Sequence, residues 1–176
     1  ADHDTPHRIA LSSAASKIPC STERLLPSGC FPYNEWIAYR TEWHEQEVIV
    51  ALNEVPLPGA FNLANVVPAV AVGKLLGVPT EKIADAVRNF KPLEHRLEFV
   101  GRFDGIEFYN DSIATVPEAA IAALAALTGQ VETVLLGGYD RGLDFSGLAK
   151  ALLKSGVKTL ILFPATGARI WKAVCG

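Results

Sequence analysis

"FYNDSIATVPEAA", residues 108–120, decides how the chain is read: an apolar strand meets Asn110, Asp111, Ser112 and Thr115 and gives way at once to a helical stretch. Just upstream, "RLEFVGRF" (96–103) and "IEFYND" (106–111) flank Asp104-Gly105, the dipeptide of a tight hairpin. The spacing of Thr115 and Glu118 predicts a capping box, in which the Thr115 hydroxyl accepts from the Glu118 amide and Glu118 reaches back to the Thr115 amide. That helix runs to about Leu127, and Gly129 ends it. Downstream, "ETVLLGG" (132–138) reads as a strand buried on both faces and "DFSGLAKALLKSG" (144–156) as a helix. "VKTLILF" (157–163) is the next strand, and "GARIWKAV" (167–174) starts another helix. Strand and helix in strict alternation predict an α/β fold with a doubly wound sheet.

The first half of the chain has another character. Pro6, Pro19, Pro27, Gly29 and Pro32 break up residues 1–45, where short strands and loops are expected. "EVIVAL" (47–52) is a buried strand. Residues 62–76 form an apolar helix stopped by Gly77, and Pro68 shifts the expected regular start to near Asn65, where a proline falls in the first turn. "PTEKIADAVRNF" (79–90) is a second helix, with Thr80 as N-cap and Ile83, Ala84, Val87 and Phe90 on its inner face. "KPLEHR" (91–96) reads as a connection, so a domain boundary is expected near residue 95, separating 1–94 from 95–176.

Bulk properties narrow the function classes. The chain has 176 residues, 49% hydrophobic and 20% charged, so burial offsets chain entropy over most of its length. A net charge of -3 and the lack of any long basic stretch argue against nucleic acid as a partner. Cys20, Cys30 and Cys175 contain no C-x-x-C pair, which argues against a disulfide framework or a thiolate zinc site and favours a reducing cytoplasm. The apolar stretches 63–78 and 119–136 are interrupted before the roughly 20 residues that a membrane helix needs. The N-terminus does not have the form of a signal peptide, and the absence of Met points to a piece cut from a longer chain.

In an open α/β sheet, ligands bind at the carboxyl ends of the strands, where helix starts present unsatisfied N–H groups. Residues 110–115 occupy one such end and "GGYDRGLD" (137–144) the next, which predicts a ligand bearing an anion or hydroxyls. A plainer reading stands beside this one. Asn, Asp, Ser and Thr are ordinary cap and turn residues, Asp140 and Arg141 suit a surface ion pair, and His95 beside Arg96 suits a structural pair. His3, His7 and His44 lack metal-ligand spacing and are given no role.

Four motifs taken together go further. "GAFNLANVVPAVAVGKLLGVP" (59–79), "FKPLEHRLEFVG" (90–101), "FYNDSIATVPEAAIAAL" (108–124) and "LLGGYDRGLDFSGLA" (135–149) resemble, in this order, the Mur ligases. The resemblance covers residues 59 to about 165, and "ADHD" at 1–4 is similar to that family's N-A-D-D stretch.

The resemblance implies a three-domain enzyme of peptidoglycan synthesis. Residues 1–94 would be the end of its central ATPase domain and 95–176 the first part of its Rossmann-like C-terminal domain. It also implies ATP with Mg2+, a nucleotide-sugar substrate, and the joining of glutamate to UDP-N-acetylmuramoyl-L-alanine through an acyl phosphate. Carried over by residue, Asn62 and Asn65 lie near the adenine and phosphates. Arg96 and Asp111 grip the ribose and phosphate region with His95 beside them, and His95 and Arg96 are the catalytic candidates. Ser112 and Thr115 line the amino-acid pocket, and no metal ligand falls in this stretch. Two positions depart from the family's pattern: Ile113 where many members have a glutamate-binding Lys, and Phe61 where His is common. No G-x-x-G-K-[ST] loop occurs, so the chain alone is expected to be inactive. A related ligase with another amino acid, L-glutamate-adding or similar to folylpolyglutamate synthase, and a non-catalytic binding module remain as alternatives.

Overall fold

The computed structural model describes residue 2, residues 4–42 and residues 44–176, with nothing said of the Asp4 and His44 side chains. His3 and part of the "ADHD" stretch therefore lie outside the described residues. The chain divides into two compact units, one up to Lys91 and the other from Pro92 to Gly176.

The first unit opens with helix α1 (Asp4–Ser12), followed by strands β1 (Gly29–Tyr33), β2 (Trp36–Thr41) and β3 (His44–Ala51). A helix here departs from the expectation of loops, because Pro6 sits in the first turn, where its missing N–H would have no partner anyway. The strands form an antiparallel meander in the order β1-β2-β3. Pro32 is accommodated on β1, an edge strand of that sheet. Helices α2 (Ala60–Leu75) and α3 (Thr80–Arg88) pack on the sheet, burying Val67, Val70 and Ile83 with Cys30, Ile37 and Val50.

Two helix starts differ from their expected form. Helix α2 begins at Ala60, not near Asn65, which leaves Pro68 inside it. Pro68 and Ala64 are both exposed, so the carbonyl deprived of its partner one turn back faces water. Thr80 is the first residue of α3 and makes no cap. Its hydroxyl instead joins Lys74 Nζ, at 2.9 Å, to the Glu47 carboxylate.

The second unit carries the alternation that the sequence predicts. Strands β4 (Glu98–Phe103) and β5 (Ile106–Asn110) form a hairpin whose turn residues Asp104 and Gly105 have φ of 48° and 81°. Helix α4 (Pro117–Ala126), strand β6 (Thr133–Gly138), helix α5 (Ser146–Ser155), strand β7 (Thr159–Ala165) and helix α6 (Gly167–Cys175) follow. Strands β6 and β7 pair in parallel, and the β4–β5 hairpin is a separate hydrogen-bonded sheet. Leu124, Leu148 and Leu152 pack against Val134, Leu136 and Leu160 to make the core. β6 is not buried on both faces, since Leu135 is 56% exposed while its neighbours Val134 and Leu136 are half-buried.

Gly29 is a point of no tolerance in the first unit. Its φ is 106°, and a Cβ there would stand 1.9 Å from the Pro19 carbonyl oxygen. Gly29→Ala is expected to cost about 3 kcal/mol or more in denaturant unfolding. Gly129→Ala, also left-handed but in open space, is expected to cost about 1 kcal/mol. Equal losses would show that backbone strain alone, and not the Pro19 contact, sets the requirement at Gly29.

Candidate functional site

The polar strand end at 110–115 is built from its own hydrogen bonds. Asp111 Oδ1 accepts the Leu97 N–H at 2.9 Å, tying the residue before β4 to the residue after β5. Asn110 Oδ1 accepts the Ser112 N–H at 3.1 Å, which turns its NH2 toward His95 Nδ1, 2.7 Å away. The His95 N–H donates to Glu98 at 2.7 Å, and the His95 carbonyl accepts the Ile113 N–H at 3.2 Å. His95, Asn110, Asp111 and Ser112 are thus brought together, with the charge of Arg96 acting on Asp111.

Burial pushes the Asp111 carboxyl above the ordinary carboxylate range, and the Leu97 N–H and Arg96 only partly pull it back. It lines a cavity of about 460 Å³ with Leu97, Asn110 and Ser112 at one end and apolar side chains such as Leu124 and Leu136 beyond.

A second cavity, about 260 Å³, opens at the carboxyl ends of β5 and β6. Ser112 and Thr115 line it, as do Gly138, Tyr139, Arg141 and Thr166. The capping box expected at Thr115 is not formed: Val116 is the N-cap, no side chain caps the helix, and Pro117 takes the first position. With proline there, one of the first turn's N–H groups that no carbonyl of the helix could take does not exist. The Thr115 hydroxyl is left to the cavity. Pro117, Phe145 and Thr166 bring the starts of α4, α5 and α6 to the same wall, so three positive dipole ends lie around one space.

Arg141, which the sequence suits to a surface ion pair with Asp140, has a different place in the structure. Its guanidinium lies over the Tyr139 ring, 5.9 Å from the centroid, and it lines the cavity. The Asp140–Arg141 ion pair of the plainer reading is not made, because Asp140 pairs with Arg169 of α6. Among the described residues Arg141 makes no ion pair. The signal for it was in the sequence: Arg141 is the one cation in a glycine-rich loop that follows a strand.

In the first unit, Asn62 is buried, and its Nδ2 donates to the Pro58 carbonyl at 2.7 Å. Asn65 is exposed at the rim of an apolar cavity of about 380 Å³ lined by Val66, Val70, Ile83 and Phe90. Phe61 beside them is half-buried. No group of three or more His, Cys, Asp and Glu among the described residues has the arrangement of a metal site.

A strand-end cavity ringed by helix starts, with one arginine that makes no ion pair among the described residues, is the candidate ligand site of an α/β domain of Rossmann-like type. Known proteins narrow the class. No protein-family model matches the chain. The UDP-N-acetylmuramoylalanine--D-glutamate ligase of Acidobacterium capsulatum is 38% identical over 171 residues, covering 97% of this chain and 37% of that protein. The UDP-N-acetylmuramoyl-L-alanine--L-glutamate ligase of Xanthomonas euvesicatoria pv. vesicatoria is 33% identical over 171 residues, covering 93% and 36%. Among solved structures, MurF from Acinetobacter baumannii matches the fold with a TM-score of 0.65 at 18% identity, over 83% of this chain and 34% of that one. MurC from Thermotoga maritima matches with a TM-score of 0.59 at 16% identity, over 80% and 31%. Over 93–97% of its length the chain is similar to ligases of the MurD type, and its fold matches those of Mur ligases. It spans 37% of the length of the Acidobacterium relative.

The raised Asp111 carboxyl has a stability consequence with a definite sign. A carboxyl that holds its proton more tightly in the folded state loses stability as pH rises through its folded range, starting from about pH 4. Asp111→Asn keeps an acceptor for Leu97 and removes the charge, so it should be at least as stable as the parent at neutral pH. Asp111→Ala should lose about 1 kcal/mol, because the buried Leu97 N–H is left unpaired. Denaturant unfolding from pH 4 to 7 checks both. An Asn variant as unstable as the Ala variant would mean that the charge, not the bond, holds the strand end.

Proposed function

We propose that this chain is part of an ATP-dependent ligase that joins the amine of glutamate to the terminal carboxylate of UDP-N-acetylmuramoyl-L-alanine, in the cytoplasmic stage of peptidoglycan synthesis. The observation that carries the reading is the strand-end cavity with Ser112, Thr115 and an unneutralised Arg141 among three helix starts. An anionic amino acid suits it: the guanidinium takes a carboxylate, and the hydroxyls take what remains. The relatives, named as ligases that join D- or L-glutamate to the same kind of acceptor, support the choice of substrate. Ile113, 50% exposed, offers no charge, so the isomer is best read by supplying both.

In this reading ATP transfers its terminal phosphoryl group to the acceptor carboxylate, and the glutamate amine displaces phosphate from the acyl phosphate. Asp111 accepts from ribose hydroxyls with the oxygen lone pairs that Leu97 leaves open, and Arg96 faces phosphate oxygens. Asn65 offers its amide to the base or phosphates, while Asn62, spent on Pro58, shapes the turn ahead of α2. His95 orients Asn110 and through it Ser112. No Mg2+ ligand is assigned to this chain. Because the chain has no G-x-x-G-K-[ST] loop, the strongest phosphate contacts of the reaction must come from elsewhere in the ligase.

Two measurements test the reading. In the full-length ligase that carries this sequence, Asp111→Ala should raise the KM for ATP about tenfold. Unchanged ATP kinetics would leave Asp111 with only its bond to Leu97. The chain by itself should show no ligation and no micromolar ATP binding by titration calorimetry, and tight binding would overturn the division of labour proposed here.

A further inference from the structure

We infer that Arg169 is a positioning residue of this site: it holds Asp140 away from Arg141 and pins the 140–145 loop, so that Arg141 stays open to an anionic group of the incoming amino acid. The inference rests on the ligase reading of the strand-end cavity.

Three contacts from one side chain carry it. Arg169, third residue of α6, pairs through Nη1 with Asp140. Its Nη2 donates to the Leu143 carbonyl at 2.7 Å. Its guanidinium also lies over the Phe145 ring, 5.2 Å from the centroid. Leu143 and Phe145 line the cavity with Tyr139 and Arg141, so the residue that fixes them fixes a wall of the site. A fourth contact completes the hold on Asp140, whose carboxylate also accepts the Gly142 N–H at 2.8 Å.

The loop needs such a hold. Gly137, Gly138 and Gly142 all have left-handed φ, at 129°, 131° and 70°, so the segment has few side chains of its own to pack. Asp140 is the chain neighbour of Arg141 and the nearest acidic group in sequence to it. Neighbouring Cα atoms lie about 3.8 Å apart, so without Arg169 the two opposite charges are free to pair, and Arg141 would bind an anion only by breaking that pair. A cation already neutralised is a poor anion receptor. The side chain that decides which arginine Asp140 takes therefore sets how much charge the cavity offers.

The test is steady-state kinetics of the full-length ligase that carries this sequence, with glutamate and ATP varied separately. Arg169→Ala should raise the glutamate KM about tenfold and leave the ATP KM unchanged. Arg169→Gln, which keeps a donor for Leu143 and loses the ion pair together with the guanidinium over Phe145, should raise it as well, and it carries the test if the Ala variant does not fold. Adding Asp140→Asn to Arg169→Ala should recover most of the loss, because an amide cannot neutralise Arg141. A residue that merely braces the fold would show no such recovery, since its contacts to Leu143 and Phe145 stay broken. If Arg169→Ala leaves the glutamate KM unchanged while Arg141→Ala raises it, the inference fails and the ligase reading stands. If Arg141→Ala also changes nothing, the cavity does not hold the amino acid and both fall.

Discussion

The bond from the Leu97 N–H to Asp111 Oδ1, 2.9 Å long, is the constraint on which the second unit depends. It closes the open end of the β4–β5 hairpin, the end opposite the Asp104-Gly105 turn. His95 and Leu97 both sit at left-handed φ, 64° and 46°, a conformation that costs a side-chain-bearing residue about 1 kcal/mol or more. The chain keeps that conformation because several bonds require it at once: Leu97 to Asp111, Ile113 to His95, Asn110 to the His95 ring, and His95 to Glu98. Segment 95–97 is therefore held against the strand end, and His95 and Arg96 are presented beside Asp111 rather than trailing as a linker.

From that anchor the rest of the site follows by topology. β5 ends at Asn110, β6 at Gly138 and β7 at Ala165, and each is followed by a helix whose start lines the same 260 Å³ cavity. Thr166, 4% exposed, donates its hydroxyl to the Gly138 carbonyl at 3.2 Å and so fastens the start of α6 to the end of β6. Gly137 makes the approach possible, since a Cβ there would meet Phe163 at 2.9 Å. Packing of β6 against β7 alone already demands glycine at 137.

Much of this was legible in the sequence, for identifiable reasons. The hairpin follows from Asp104-Gly105, because few other dipeptides take left-handed φ twice in succession. The helices after β5, β6 and β7 follow from periodicity and from Gly129 and Gly156 as stops. Two of the departures share a cause: a local rule meets competition from a distant residue. Thr80 was read as a cap, yet Glu47, thirty-three residues earlier, takes its hydroxyl. Asp140 was matched with its neighbour Arg141, yet Arg169 takes it from another helix. Pro6 was read as a loop signal, although a proline in a helix's first turn looks the same in sequence as one in a loop. Side-chain partners that are far apart in the chain are set by the fold, so no window of sequence contains them.

Three local preferences are set aside at one place. Helix α4 starts without a side-chain cap although Thr115 stands ready, Asp111 carries a carboxyl whose charge is disfavoured by burial, and Arg141 has no counter-ion among the described residues. Each would be simple to correct for stability alone, by a serine at the cap position, an amide at 111 or an acid beside Arg141. Elsewhere in the same unit such needs are met: Asp144 accepts from Ser146 at the start of α5, and Lys158 pairs with Glu132 where β6 and β7 begin. Strain and unmet polar groups spread evenly would speak of a poorly packed chain. Gathered at the carboxyl ends of two strands, around two cavities that share Ser112, they form the pattern expected of groups held open for a ligand, which would supply the hydrogen bonds and charge that the free fold leaves out.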